Sequence, residues 1–330
     1  MRTRFLGRTG VSVSELGFGT MTFGSEADEA ESARLFKRCR DGGINLFDCA
    51  DVYGRGRAEQ ILGKLISGCR DELVLTSKAS FPMGPDPNAC GASRYHIVRA
   101  CEASLKRLGT DRIDVYFLHR FDPRTELEEA LRGLELLVAQ GKILYPAVSN
   151  FAAYQTQRAI DLEERLGWAK LCCIQPMYNL LKRQAEVELL PMALDNGLGV
   201  LPYSPLAAGL LTGKYSAHAQ PEAGRMLVSA TYKTRYAGEA TRDVAARFVT
   251  LARELGHSPS ALAIAWVAHH PAVTAPLLGA RSVSQLEACL PATEIRLDAS
   301  SYAAISALAP KPAPATDRTD EGTDADLWRR

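Results

Sequence analysis

No stretch of this sequence strings together the ~18 apolar residues that a membrane-spanning helix needs. No apolar run of signal-peptide length follows the basic start MRTRFLGRTG either. A chain that is neither inserted nor exported is expected, and a cytoplasmic location with it. An excess of one charge is also missing: 39 Lys plus Arg stand against 38 Asp plus Glu, a formal net charge of +1. Such a balance makes no field to gather nucleic acid or an anionic membrane, so neither is an expected partner and small-molecule chemistry is favoured. The eight cysteines are irregularly spaced. Only Cys172 and Cys173 are close, inside an apolar run, and no pair has zinc-site spacing beside a histidine. Reduced thiols and no metal site are the expectation. A GxGxxG turn after an early strand is lacking as well; Gly17-Phe18-Gly19 is a weak near match, which argues against an open dinucleotide-binding sheet.

What the chain does contain is a repeat of short apolar runs that end in polar residues. They are LGFGT from 16, INLFDCAD from 44, ELVLTSK from 72, RIDVYFLH from 112, KILYPAVSN from 142, LCCIQPMYN from 171, GVLPYSP from 199 and TAPLLGAR from 274. Stretches with helical spacing lie between them, such as 31–43, 93–109 and 125–142, with Gly42-Gly43, Gly109 and Gly141 as stops. Eight alternating units predict a parallel sheet closed into a (β/α)8 TIM barrel, which at this length is expected as one domain over residues 1–309. Residues 2–14 read as an N-terminal β-hairpin around Gly7 to Gly10 that plugs the barrel floor. Two segments fall outside the repeat: a polar insertion at 215–240, and a polar C-terminal tail at 310–330 with little to bury, expected to be disordered.

In such a barrel the chemistry sits where the strands end. Asp48 ends the second run, Tyr53 follows it, Lys78 ends the third and His119 ends the fourth. Carbonyl reduction needs a hydride donor and a proton donor on one carbonyl. A tyrosine serves as the proton donor when a neighbouring ammonium stabilises its phenolate, which Lys78 can supply. A lysine at the mouth needs a partner, and Asp48 is the available carboxylate. His119 can hydrogen-bond the substrate oxygen and place it beside Tyr53. Singly, each of these residues reads as a cap or a packed aromatic. Four of them at successive strand ends point to a site.

The motifs LGRTGVSVSELGFGTMTFG, FDCADVYG, TSK, LGTDRIDVYFLH, AVSNF, IQPMYN, YSPLAAGLLTGKY and GARSVSQL together resemble the aldo-keto reductases of the long bacterial type, related to potassium-channel β subunits, over roughly residues 4–295. The resemblance implies that Asp48, Tyr53, Lys78 and His119 form a catalytic tetrad and that the cofactor is NADPH/NADP+. It further implies that Ser149, Asn150 and Gln175 bind the nicotinamide carboxamide, that Tyr203 stacks on its ring, and that Thr20 and Met21 lie on the ribose side. Ser204, Pro205, Leu206, Ala208, Gly209 and Lys214 match the pyrophosphate loop. Gly279, Arg281 and Gln285 match the adenosine end with Arg225 close to a family arginine, and guanidinium groups there suit a 2′-phosphate.

Three positions depart from the family pattern: Ala288-Cys289 in place of a frequent Glu-Asn, Cys49 in place of threonine, and Pro146 in place of isoleucine. The implied activity is NADPH-dependent reduction of an aldehyde or ketone. The alternative is an NADP(H)-binding regulatory subunit, against which His119 speaks, because channel β subunits commonly carry asparagine at that position. Loops after Lys78 and His119, with Phe81, Pro82, Met83, Arg120 and Phe121, mix aromatic and basic character and leave the substrate open.

Overall fold

The computed structural model describes residues 1–215 and 224–316. Strands β1 (Thr3–Phe5) and β2 (Ser12–Ser14) pair antiparallel as the expected hairpin. Eight further strands form one parallel sheet: β3 (Gly17–Gly19), β4 (Leu46–Asp48), β5 (Val74–Ala79), β6 (Ile113–Leu118), β7 (Ile143–Ser149), β8 (Cys173–Gln175), β9 (Gly199–Val200) and β10 (Leu277–Leu278). Their order is β10-β3-β4-β5-β6-β7-β8-β9. The two ends of that row meet, because the amide of Thr274 donates to the carbonyl of Val200 at 2.9 Å and that of Leu277 to Pro202 at 2.9 Å. The sheet is therefore a closed (β/α)8 barrel without a free edge.

Residue alternation divides the core in two. Inward-facing Leu46, Val74, Val115, Phe117, Ala147, Cys173, Leu201 and Leu277 pack in one cluster with Leu6 and Val13 of the hairpin, which seal the floor. A larger cluster fills the space between sheet and helices, with Phe47, Leu75, Tyr116, Leu118 and Val148 on the outward side of the strands. The hairpin presses close: a Cβ on Gly7, whose φ is +55°, would stand 2.6 Å from the Cys172 carbonyl oxygen and 2.8 Å from the Gly199 nitrogen. Only glycine meets both demands.

The helices fall where period and caps place them, at Glu29–Asp41, Arg94–Leu108 and Leu127–Ala139 among others. Asp28 caps the first through the amide of Glu31, and Ser93 caps the second through that of His96. Gly109 ends the second in the left-handed region at φ +62°. The expected insertion at 215–240 carries two short helices, Arg225–Val228 and Ala230–Arg235, and residues 216–223 of it lie outside the described residues. Of the expected tail, 317–330 likewise lie outside. Just before it, the helix Ala299–Ser306 stacks Tyr302 on Trp266 at 5.6 Å. Among the described residues, no helix is long and apolar enough to cross a membrane.

Candidate active site

Register builds the centre of the site. Asp48 at the end of β4 pairs with Thr76 of β5, and Lys78, two residues further along β5, shares the inward face with Thr76. The Lys78 side chain is wholly buried, and its ammonium donates to Asp48 Oδ1 at 2.6 Å, Asp48 Oδ2 at 2.7 Å and the Cys49 carbonyl at 2.7 Å. Asp48 also accepts from Thr76 Oγ1 at 2.6 Å and Gln175 Nε2 at 2.8 Å. Every donor of the ammonium is used, and the carboxylate has four contacts. That is the condition under which a buried ion pair is tolerated.

Tyr53 opens a tight turn, Tyr53–Gly56, that carries the chain from β4 into the helix Arg57–Ile66. Gly54 and Arg55 both have positive φ, and so does Gly56 at +89°, where a Cβ would also strike Arg107 Cδ at 2.7 Å. The turn brings the phenol ring over the ion pair, with Lys78 Nζ 5.2 Å from the ring centroid. His119 follows β6 directly and is tied back by its amide to the Ala79 carbonyl at 2.9 Å. Its ring stands edge-on to Tyr53 at 6.0 Å and to Phe81 at 4.7 Å. Burial, and then the nearby Lys78 charge, hold its pKa well below the ordinary histidine range, so the imidazole is neutral at physiological pH. Nδ1 is buried without a hydrogen-bond partner among the described residues. An unpaired buried N–H is rarer than an unpaired acceptor, so the proton belongs on Nε2.

These groups open into a cleft of about 1170 Å³ across the C-terminal ends of the strands. Asp48, Tyr53 and His119 line it together with Met21, Ser149, Asn150, Gln175, Tyr203, Ser204, Pro205, Leu206, Ala208, Gly209, Lys214, Gly279, Arg281 and Gln285. Lys78 sits behind the lining, reaching the cleft through Asp48 and Tyr53. Thr20 is not a lining residue: its side chain is buried and its hydroxyl donates to the Asp48 carbonyl at 3.0 Å, bracing the strand end from behind. Arg225 starts a short helix, and its side chain lies outside the described residues.

The residues expected to hold a nicotinamide are already linked to each other. Ser149 Oγ donates to the Gln175 carbonyl at 2.9 Å, Asn150 Nδ2 to the His119 carbonyl at 2.9 Å, and the Tyr203 hydroxyl to Asn150 Oδ1 at 2.8 Å. Asn150 and Ser204 adopt positive φ without being glycine, as do Ala207 and Ala208. Strain of this kind, collected at one rim of a cleft, marks backbone shaped for a ligand. Gly209 belongs to the same stretch, and a Cβ there would fall 2.6 Å from Lys214 Cε, so a glycine makes room for the one ammonium of this loop. A long cleft with small residues and a lysine after β9, and an arginine after β10, fits a dinucleotide phosphate.

Sequence reasoning passed over other lining residues, chiefly Tyr232 and Arg235. Both come from the stretch read as a polar insertion; their i, i+3 spacing places them on one face of the helix Ala230–Arg235 and was the available signal.

A closed parallel barrel whose mouth gathers a buried ion pair, a phenol and a neutral imidazole under one long cleft defines the class of barrel oxidoreductases. Comparison with known proteins gives the family: the model of the Aldo/keto reductase family matches residues 15–310, and the chain belongs to that family. It is 40% identical over 310 residues to an uncharacterized oxidoreductase of Bacillus subtilis, covering 90% of this chain and 93% of the relative. To a probable voltage-gated potassium channel subunit beta of Arabidopsis thaliana it is 38% identical over 302 residues, 89% and 92% of the two chains. The L-glyceraldehyde 3-phosphate reductase of Escherichia coli K12 is 32% identical over 308 residues, 87% and 86%.

Proposed function

We propose that this protein reduces an aldehyde or ketone to the alcohol with NADPH, with Tyr53 as general acid. The observation that carries the reading is the buried Lys78 ammonium, saturated by Asp48 and Cys49 and 5.2 Å from the Tyr53 ring. An ammonium so fixed costs much to bury and does nothing for packing that an apolar side chain would not do better. Its effect on a phenol is to stabilise the anion that remains once the proton has gone.

Reduced nicotinamide, when bound, supplies the hydride. The chain supplies the rest. His119 donates from Nε2 to the carbonyl oxygen and polarises it, neutral before and after the step. Tyr53 delivers its proton to the same oxygen as negative charge develops there. Lys78 stabilises the resulting phenolate, and Asp48 holds the Lys78 ammonium in place. Ser149, Asn150, Gln175 and Tyr203 hold the nicotinamide end. The residues from Ser204 to Lys214 hold the pyrophosphate, and Gly279, Arg281 and Gln285 hold the adenosine end. Arg281 suits a 2′-phosphate, which favours NADPH over NADH. Relatives described as reductases and oxidoreductases support the reading.

Similarity to channel β subunits carries a second reading, a nucleotide-binding regulatory subunit with little turnover. Substrate-dependent oxidation of NADPH across aromatic aldehydes, dicarbonyls and keto-sugars separates the two. Turnover with at least one carbonyl compound supports the enzyme. Tight NADPH binding with no oxidation above background on any of them supports the subunit.

A further inference from the structure

The closed strand order sets β5 and β6 diametrically across the mouth from β9 and β10. The phosphate-binding stretches proposed for the cofactor follow β9 and β10. The loops after β5 and β6 therefore face the other end of the cleft, and they supply Phe81 and Arg120 to its lining. A continuous contact series leads there from the reacting centre: Tyr53 to His119 at 6.0 Å between ring centroids, His119 to Phe81 at 4.7 Å, and the Arg120 guanidinium carbon 5.7 Å above the Phe81 ring.

Arg120 is exposed, and no carboxylate pairs with it among the described residues. Asp122, the acid on the same loop, is committed to the amide of Ala92 at 3.0 Å, the hydroxyl of Thr125 at 2.9 Å and the amide of Arg124 at 3.0 Å. Asp48 is the only carboxylate among the described lining residues, and Lys78 neutralises it. The substrate end of the cleft thus presents one uncompensated guanidinium, seated on an aromatic ring and a fixed contact series away from the proton donor. A guanidinium held by ring stacking keeps its donor fork free for a planar or tetrahedral anion.

We propose that the substrate is a carbonyl compound bearing an anionic group, carboxylate or phosphate, and that Arg120 is the specificity-determining residue that binds it. The inference rests on the carbonyl-reduction reading above. Its test compares kcat/KM within two matched pairs, benzaldehyde against 4-carboxybenzaldehyde and glycolaldehyde against glycolaldehyde phosphate, for the full chain with NADPH at low and high salt. The readout is the anionic-to-neutral ratio, in which general losses of activity cancel.

The wild-type ratio is expected to reach about tenfold in at least one pair and to shrink with salt. Arg120→Met should lower it by about tenfold, chiefly through KM, and Arg120→Lys should restore part of it. Preference in the first pair alone identifies a carboxylate, in the second alone a phosphate. A wild-type ratio at or below one in both pairs, or a ratio that Arg120→Met leaves unchanged, overturns the inference while leaving carbonyl reduction standing. Absence of turnover with all four aldehydes removes the carbonyl-reduction reading and this inference with it.

Discussion

Removing Lys78 separates the energetic role of the ion pair from its chemical role. In Lys78→Met the buried Asp48 keeps Thr76 and Gln175 as donors but loses the ammonium that faced both of its oxygens at 2.6 and 2.7 Å. Breaking a buried pair from one side costs about 3–5 kcal/mol, because the charge left behind has no solvent to turn to. For a chain of this size that is about 4–7 °C in Tm. Asp48→Asn/Lys78→Met removes both charges, so its loss should be several kcal/mol smaller than the sum of the two single variants. Chemically, with the 5.2 Å between Nζ and the ring centroid taken as the charge separation, the ammonium stabilises the phenolate by about 3 kcal/mol at an effective dielectric constant of about 20, worth about two decades of rate. The assay is urea unfolding of wild type, both single variants and the double variant, with single-turnover reduction of a good aldehyde by each soluble form. The reasoning is refuted if the stability losses simply add, or if the stable double variant reduces the aldehyde at the wild-type rate.

Two further outcomes follow from buried and charged groups. Asp51 lies behind the Tyr53 turn, wholly buried, with neither carboxyl oxygen hydrogen-bonded among the described residues. Burial, and then the Glu59 charge, push its pKa from the ordinary 3.8 up to about 7. As pH rises, the unfolded chain releases this proton first, so stability is full below pH 3.8 and is lost progressively up to about pH 7, by on the order of 4 kcal/mol. Asp51→Asn should therefore gain on wild type in urea midpoint between pH 5 and pH 8; a pH-independent difference would show that the carboxyl does not titrate there. Arg281→Ala should weaken NADPH binding by about ten- to a hundredfold and NADH binding much less, read as dissociation constants by fluorescence quenching. Equal losses for the two cofactors would remove the 2′-phosphate role.

The parts legible in the sequence are those in which one element announces its own ends. Asp48, Lys78 and His119 each close an apolar run, and period-2 alternation alone puts Thr76 and Lys78 on the inward face beside Asp48. The hairpin was readable from Gly7 and Gly10, although its seal, Leu6 and Val13 against the inward residues of the strands, is a tertiary fact. Features assembled from distant elements were not legible. Glu59 accepts from Ser77 at 2.5 Å and from Arg107 at 2.6 Å, a buried group drawn from two helices and a strand. Barrel closure itself was expected from the eight runs, but the bond that makes it, from the Thr274 amide to the Val200 carbonyl, joins distant segments and was not. Thr20 sits at a strand end as expected, yet its side chain turns behind the wall, because the Asp48 carbonyl offers its hydroxyl a partner there.

The central claim is that Tyr53 gives its proton to the substrate oxygen, and Tyr53→Phe tests it most directly because the ring and its packing against His119 are kept. Measured on a good carbonyl substrate in a single turnover, where chemistry limits the rate, the variant should bind NADPH with wild-type affinity and lose roughly two to four decades in rate. Near wild-type turnover by Tyr53→Phe under those conditions would contradict the account.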